Sequence, residues 1–456
     1  MRTVVSVLSL LPGLLGAQQA PSLDQRYATQ ADQLIGAALR DSAAWDRLAR
    51  LTDGFGHRLS GSASLEQAID WMLAEMRRDG LENVRGEPAM VPRWVRGRES
   101  ADLVAPRAMD LPMLGLGGSI GTPPEGLTAE VLVVSSFADL EQRAAEARGR
   151  IVLFDVPFTS YGATVQYRGN GAIAAARAGA VAALVRSVGS YSLRTPHTGA
   201  MRYDSTVTRI PAAAITTEDA AMLHRMQNRG ERIAVRLRME ARTEPDAPSR
   251  NVVAEIRGRE LPDEVVVMGG HIDSWDVGQG AVDDGGGVVI AWEAVRLMKQ
   301  LGLRPRRTVR VVGWVNEENG GRGGQAYRDA HAAELDNHIL AIESDGGVFA
   351  PVGFGFTGSD SARVLLRQVV RLLARVGGDS LLAGGGGADI GPIMQRGVPG
   401  MSHDTEGDYF WFHHSNADTV DKVDPRDMGL SVAMMAVMAY VVAEMPERLP
   451  RQQGEQ

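Results

Sequence analysis

Apolar positions along the chain fall into distinct patterns. From residue 24 to residue 90 they recur at helical spacing. Ala31 to Leu51 presents one apolar face, and Ser64 to Gly80 repeats it, with Ser64 and Gln67 as a capping box and Gly80 as a helix stop. Between 93 and 245 the character changes. Strand-like runs at Glu130–Val134, Arg150–Asp155, Val181–Val185 and Ile210–Ile215 alternate with turns, a helix over Gly169–Ala180 and a second helix from Thr217. This segment reads as a compact inserted α+β unit without clustered chemistry. From Asn251 onward, short apolar, β-branched runs at Val265–Met268, Thr308–Trp314 and Ile339–Glu343 alternate with helical patterns at Gly286–Leu301, Ser361–Val376 and Met428–Glu444. Buried strands alternating with helices predict an α/β sheet covered on both faces. The organisation expected is one α/β domain from residues 21–92 and 246–447, an insert at 93–245 and a disordered tail at 448–456.

The first 20 residues stand apart. Arg2 precedes an apolar run from Val4 to Leu15, and small residues follow from Gly16 to Ala20. A charged start, a short apolar core and a small-residue exit make a secretory signal peptide, which places the mature chain outside the cytoplasm, secreted or periplasmic. The longest later apolar stretch, Val432 to Val442, is too short for a membrane span of about 20 residues, so no stable membrane insertion is expected. At 456 residues the chain is long enough for two or three domains. Its 48 basic and 56 acidic residues leave a net charge of −8, which argues against a nucleic-acid partner. It has no cysteine, which excludes disulfides, thiol catalysis and sulfur-ligated metals. Any metal must be held by His and carboxylates.

Ligand-type residues collect where the predicted strands end. Val265–Met268 is followed by Gly269-Gly270-His271-Ile272-Asp273-Ser274-Trp275-Asp276, and then by Val282-Asp283-Asp284-Gly285-Gly286-Gly287 entering a helix. Thr308–Trp314 is followed by Asn316-Glu317-Glu318-Asn319, Ile339–Ile342 by Glu343-Ser344-Asp345, and near the end stands His413-His414-Ser415-Asn416-Ala417-Asp418-Thr419. Charges at the ends of buried strands are costly unless paired or metal-bound. Imidazole and carboxylate donors suit zinc, and one carboxylate can bridge two ions.

Taken together, His271-Ile-Asp273-Ser-Trp-Asp, Asp283-Asp284-Gly-Gly-Gly, Glu317-Glu318, Glu343-Ser-Asp345, Gly397-Val-Pro-Gly400 and Phe410-Trp-Phe-His-His414-Ser resemble the co-catalytic di-zinc aminopeptidase family, most closely its carboxypeptidase Q branch. The resemblance covers essentially the whole mature chain. It implies a mixed central sheet flanked by helices and, for the insert, a protease-associated-like domain. It implies two Zn2+ per chain: one held by His271 and Asp345, the other by Glu318 and His414, with Asp283 bridging both. Glu317 would be the general base, and Asp273 would orient the His271 ring. His414 is selected over His413 because the family's ligand His stands four residues before an Asp-Thr pair, here Asp418-Thr419. A cis peptide between Asp283 and Asp284 is also implied. The substrate would be short unblocked peptides, dipeptides in this branch, and the assembly a homodimer. Some relatives of this architecture are binding proteins that have lost metal ligands. Here all five ligand positions and the base are present, which favours an enzyme.

The remaining residues carry plainer expectations. Asp284 reads as structural, and His413, Tyr409 and Trp411 as packing, with a pocket wall as the alternative for the two aromatics. His57, His197, His224, His331, His338 and His403 fall outside the pattern. The Gly384–Gly387 run with Ala388 and Asp389 reads as a turn, or as a substrate-side wall that puts Asp389 near a free amine.

Overall fold

The computed structural model describes residues 21–452. The segment read as a signal peptide, and residues 453–456 of the expected tail, lie outside the described residues. The described residues form two eight-stranded sheets. The strands of the first are β1 (Glu82–Val95), β2 (Arg242–Ile256), β3 (Leu261–His271), β4 (Arg307–Trp314), β5 (His338–Glu343), β6 (Ala350–Thr357), β7 (Ser380–Ala383) and β8 (Gly400–Glu406). Their order is β1-β2-β4-β3-β5-β8-β6-β7. β3 runs parallel to β4 and β5, and β5 to β8, whereas β1–β2, β2–β4 and β6–β8 are antiparallel. The sheet is therefore mixed, as expected. Every residue of β4 and β5 is buried, which is why these central strands show no alternation of apolar and polar positions; the charge within β4, Arg310, is paired with Glu255.

Helices α1 (Leu23–Ala38), α2 (Ala43–Phe55), α3 (Ala63–Arg78), α5 (Gly286–Gln300) and α6 (Pro425–Glu444) cover this sheet; α4 (Tyr161–Arg177) belongs to the second. They share one apolar core with its strands. At 20 residues α6 is long and apolar enough to cross a membrane, which reading only Val432–Val442 had missed. Inside the fold, 83% of its most apolar window is buried, so it is a core helix.

Several boundaries differ from the sequence reading, each for a local reason. The pattern over Ala31–Leu51 is two helices, because the Asp41 carboxylate accepts from Ala43 N at 2.8 Å and restarts the helix there. The cap of α3 is Ser62, whose hydroxyl accepts from Leu65 N. Ser64 instead donates to the His57 carbonyl, so the expected capping box does not form. The helix read from Gly169 starts at Tyr161, capped by Ser160. β6, β7 and β8 were not foreseen, because Gly, Pro and Ser interrupt their apolar pattern. Residues 448–451 are docked rather than disordered: Leu449 is buried, and Arg451 donates to the His338 carbonyl at 2.9 Å.

The second sheet lies within the stretch read as an insert. Its strands span 99–105, 109–111, 113–115, 127–134, 151–154, 182–186, 212–215 and 234–239. The β1–β2 ladder continues past a bulge to Val95 opposite Arg242, so the chain leaves and rejoins the first sheet there rather than at 93 and 245. The two sheets meet beside the end of β3. Trp275 is buried in the apolar core of the second sheet, its ring against Gly117, where an added Cβ would sit 2.0 Å away. Arg96 donates to both carboxylate oxygens of Asp276, at 2.8 and 2.5 Å.

Candidate metal centre

Three neighbouring parallel strands deliver the site. β3 ends on His271, β4 ends three residues before Glu317, and β5 ends two residues before Asp345. In α/β sheets this carboxyl edge is where ligands bind, because loops leave each strand there in the same direction. Asp283 stands in an irregular turn, Ala281–Gly285, just before α5, and its peptide bond to Asp284 is cis, as the resemblance implied. His414 comes from the loop before α6.

The five expected ligands converge. His271 Nε2 lies 3.2 Å from Asp283 Oδ1 and 3.4 Å from Asp345 Oδ1. His414 Nε2 lies 3.2 Å from Asp283 Oδ2 and 2.9 Å from Glu318 Oε2. The two oxygens of Asp283 thus face two different sets of donors. Asp283 Oδ2 and Asp345 Oδ1 are buried without a hydrogen-bond donor. His271 Nδ1 is 2.9 Å from the Asp273 carbonyl, an acceptor, so it carries the proton and leaves a lone pair on Nε2. Lone pairs of nitrogen and carboxylate oxygen meeting in a buried space fit a cation, and this donor set fits zinc.

Asp273 works differently from the expectation. Its main-chain carbonyl, not its carboxylate, orients the His271 ring; the nearer carboxylate oxygen is 3.8 Å from Nδ1. The carboxylate instead accepts from Glu317 N at 3.1 Å and from the Ser60 hydroxyl at 3.3 Å, tying the two ligand-bearing loops together. Asp284 is structural, as read: its oxygens accept from His271 N at 3.0 Å and Gly287 N at 3.1 Å. An added Cβ on Gly287 would lie 2.2 Å from the Ser344 carbonyl, so glycine is what lets α5 approach β5. Glu318 is held through its second oxygen, which accepts from Trp275 N at 3.1 Å.

His413 stacks on His414 with ring centroids 3.4 Å apart, edged by Tyr161, Tyr409 and Phe410. Its Nε2 is 3.7 Å from Asp283 Oδ2, and its Nδ1 has no partner. Tyr409 is half-buried beside it, whereas Trp411 is exposed and meets Tyr191 of the second sheet's loops edge-on. Asp389 is not an open wall: it is buried, with neither oxygen partnered. Of the histidines outside the pattern, His197 reaches this region, its Nδ1 2.7 Å from the His413 carbonyl. His224 pairs with Asp155, His331 with Glu87, His338 with the Tyr327 hydroxyl and His403 with Ser344.

Burial and like charge raise the carboxyl groups of Glu317, Glu318, Glu343 and Asp345, whereas for Asp283 the burial effect is outweighed by His271 and His414, which hold it well below the usual carboxylate range. Burial pushes Glu317 up to about 8, with the Asp345 and Asp283 carboxylates adding to it, and burial with Asp345 pushes Glu343 to about 7. Burial opposes protonation of His271, but without a cation in the basin the adjacent Asp283 and Asp345 carboxylates outweigh this and hold its pKa well above the usual value. Burial lowers His414 to about 4. Metal-free and folded, Glu317 and Glu343 keep protons that the unfolded chain has lost above its own value of 4.5. Their contribution to stability is therefore complete below that value and lost as pH rises through about 7 to 8. Zinc is expected to raise the melting temperature of chelator-treated protein more at about pH 8.5 than at about pH 6. Equal increments, read by thermal denaturation, would contradict this.

Two residues that sequence reasoning missed hold the basin together. Asp418, read only as a marker for His414, accepts from Ala281 N at 2.8 Å, Val282 N at 2.7 Å and Asp283 N at 3.2 Å, and so fixes the turn that carries the bridging carboxylate. Arg58 is fully buried. It donates to the carbonyls of Ile272 at 2.7 Å, Gly56 at 3.0 Å, Gln279 at 2.6 Å and Gly280 at 2.8 Å, clamping both ends of the loop between His271 and Asp283. Burial lowers its pKa to about 10. Its only sequence signal is a charge inside an otherwise uncharged run, Leu59-Ser60-Gly61 following it. Arg58→Met takes the donor from the Ile272, Gly56 and Gln279 carbonyls, at about 1–3 kcal/mol each, out of a total stability of about 5–15 kcal/mol, whereas the Gly280 carbonyl still accepts from Gly285 N. The variant is expected to lose most of its stability in denaturant titration; a midpoint like the wild type's would refute the clamp.

Comparison with known proteins agrees with this geometry. Residues 251–451 match the sequence model of peptidase family M28. Carboxypeptidase Q of Bos taurus is 52% identical over 429 residues, covering 93% of this chain and 91% of that protein. Among solved structures, the peptidase M28 precursor of Shewanella amazonensis superimposes with a TM-score of 0.90 at 36% identity, covering 94% of this chain and 100% of that one. A zinc aminopeptidase of Bacillus subtilis shares the fold, with a TM-score of 0.66 at 20% identity over 88% of this chain and 94% of that one. The chain belongs to peptidase family M28, with carboxypeptidase Q proteins among its relatives, and is a metallopeptidase.

Proposed function

We propose that the chain is a two-zinc exopeptidase acting on short unblocked peptides, dipeptides foremost, outside the cytoplasm. The observation that carries the two-metal reading is Asp283, whose oxygens face two separate sets of donors. His271 and Asp345 would hold one ion, Glu318 and His414 the other, and Asp283 both. When bound, the ions would supply Lewis acidity for the scissile carbonyl and acidify a water between them. Glu317 stands at this basin with its backbone fixed by Asp273. Its carboxylate takes the proton from the attacking water and returns it to the leaving nitrogen. The low-dielectric surroundings strengthen both transfers by excluding competing solvent.

Identity of about 50% to carboxypeptidase Q proteins over nine-tenths of the chain supports an exopeptidase that reads the peptide's ends. The apolar run at the N-terminus supports export, and the position of the second sheet beside the site supports a protease-associated-like unit that shapes the cleft. The test is hydrolysis of one unblocked apolar dipeptide and of its C-terminal amide by the zinc-loaded chain. Cleavage of the free dipeptide alone supports the dipeptidase. Equal cleavage of the amide would show that the carboxylate is not read, and would make the chain a broad aminopeptidase.

A further inference from the structure

We infer that the second sheet's side supplies the reader of the substrate's terminal carboxylate: the Tyr161 hydroxyl, backed by the Arg168 guanidinium, takes the C-terminal carboxylate of a dipeptide beside His414. This rests on the exopeptidase reading above.

Arg168 is the residue that asks for an anion. It is 5% exposed, and among the described residues no carboxylate pairs with it. Nη1 donates to the Thr198 carbonyl at 3.2 Å, Nη2 donates to the Tyr161 hydroxyl at 2.7 Å, and Nε is buried without a partner. A buried charge is costly unless it is paired. Arg96, Arg307 and Arg310, also buried, meet Asp276, Glu264 and Glu255. Arg58 has its nitrogens on four carbonyls and is a clamp. Arg168 differs from all of these, because it keeps one donor idle and places another on a hydroxyl that can pass a proton donor onward. Glu318 and Asp283 meet the His414 ring at Nε2, whereas Arg168 Nη1 stands 3.3 Å from Nδ1, on the ring's other edge.

Tyr161 is the first residue of α4, directly after the cap Ser160, and Arg168 follows on the same helix two turns later, so both lie on one face. The Tyr161 ring stands edge-on to His413 at 5.1 Å and stacks on Phe410 at 5.3 Å, which sets it against the loop that carries His414. Gly199 admits the guanidinium behind it: an added Cβ there would lie 2.2 Å from the guanidinium carbon. Unlike Arg168, Tyr161 is only half-buried. Its hydroxyl accepts from Arg168, and its own proton has no acceptor among the described residues. Burial holds the phenol above its ordinary value, against the opposing effect of Arg168, so the proton stays on the oxygen. A hydroxyl that accepts from a guanidinium is polarised into a stronger donor. In a dipeptide the terminal carboxylate stands one residue, about 3.5 Å, past the scissile bond. Its reader must therefore border the metal ligands, as Tyr161 does. Arg168 acts through Tyr161 and is a positioning residue.

The test is steady-state hydrolysis of one unblocked apolar dipeptide and of its C-terminal amide by the zinc-loaded full chain, with Tyr161→Phe and Arg168→Met beside the wild type. Tyr161→Phe keeps the ring against Phe410 and His413 and removes only the hydroxyl. It is expected to raise KM for the free dipeptide about 10- to 100-fold with little change in kcat, because a charge-assisted hydrogen bond made alike in ground and transition states is lost. The amide should be cleaved as by the wild type, so the preference for a free carboxylate falls by the same factor. Arg168→Met should move that preference in the same direction; where it does not fold, Tyr161→Phe decides alone. Calorimetric binding of the dipeptide to Glu317→Gln, with and without Tyr161→Phe, should give the same factor in the absence of turnover. A preference and a binding constant unchanged by Tyr161→Phe overturn the inference. So does an equal loss on both substrates, because the hydroxyl would then act at the scissile bond or in the fold. Failure of the exopeptidase reading shows separately, as a wild type that already cleaves amide and dipeptide alike, and that result removes the carboxylate reader with it.

Discussion

Glu317→Gln is expected to lower turnover of a dipeptide by roughly 10²- to 10⁴-fold while leaving zinc content unchanged. The reason is the division of labour at the end of β4. Glu318 points one oxygen at His414 and is fixed through the other by Trp275 N, so it belongs to the ligand set. Glu317 is held through its main chain, by Asp273, and its side chain stands among the carboxylates of Asp345 and Asp283. An amide in its place keeps the shape and removes the basic lone pair. Steady-state kinetics with metal analysis checks both halves of the expectation. Loss of zinc along with activity would instead make Glu317 a ligand.

Asp283→Ala is expected to be more severe, lowering activity by roughly 10⁴-fold or more, because base catalysis and stabilisation of the developing oxyanion fail together. One carboxylate lies against both His271 and His414. Removing it takes a donor from each position and leaves two imidazoles facing a space they cannot fill. Asp418 binds the turn through the backbone of Ala281, Val282 and Asp283, so the turn itself survives the change. The variant should therefore fold, with zinc content near zero by elemental analysis. Retention of one full equivalent would show that the two positions are independent of Asp283.

The parts of this site that a sequence displays are those that chain order places next to a recognisable strand. His271, Glu317-Glu318 and Asp345 each stand within four residues of the end of a buried strand, so strand ends and ligands could be read together. The choice of His414 over His413 was not available from the residues alone and came from the resemblance. In the fold His414 Nε2 is 2.9 Å from Glu318 and 3.2 Å from Asp283, whereas His413 stacks on His414 with its Nε2 3.7 Å from Asp283, so the distances support the same choice. The main-chain role of Asp273 was illegible, because any residue has a carbonyl. Arg58 was illegible for a related reason. It acts mainly on carbonyls more than 200 positions away, and such partners leave no spacing pattern. The same limit applied to the fold. The apolar strands at its centre were plain, but β8 and β6, which lie between β5 and the edge strand β7 and are broken by Gly, Pro and Ser, were visible only once they paired with each other.

The most direct measurement is anomalous diffraction at the zinc edge from crystals of the zinc-loaded chain. Two peaks are expected, one among His271, Asp345 and Asp283 Oδ1, and the other among Glu318, His414 and Asp283 Oδ2. A single peak, or one seated between Asp283, His413 and His414 with Glu318 unengaged, would contradict a bridged pair.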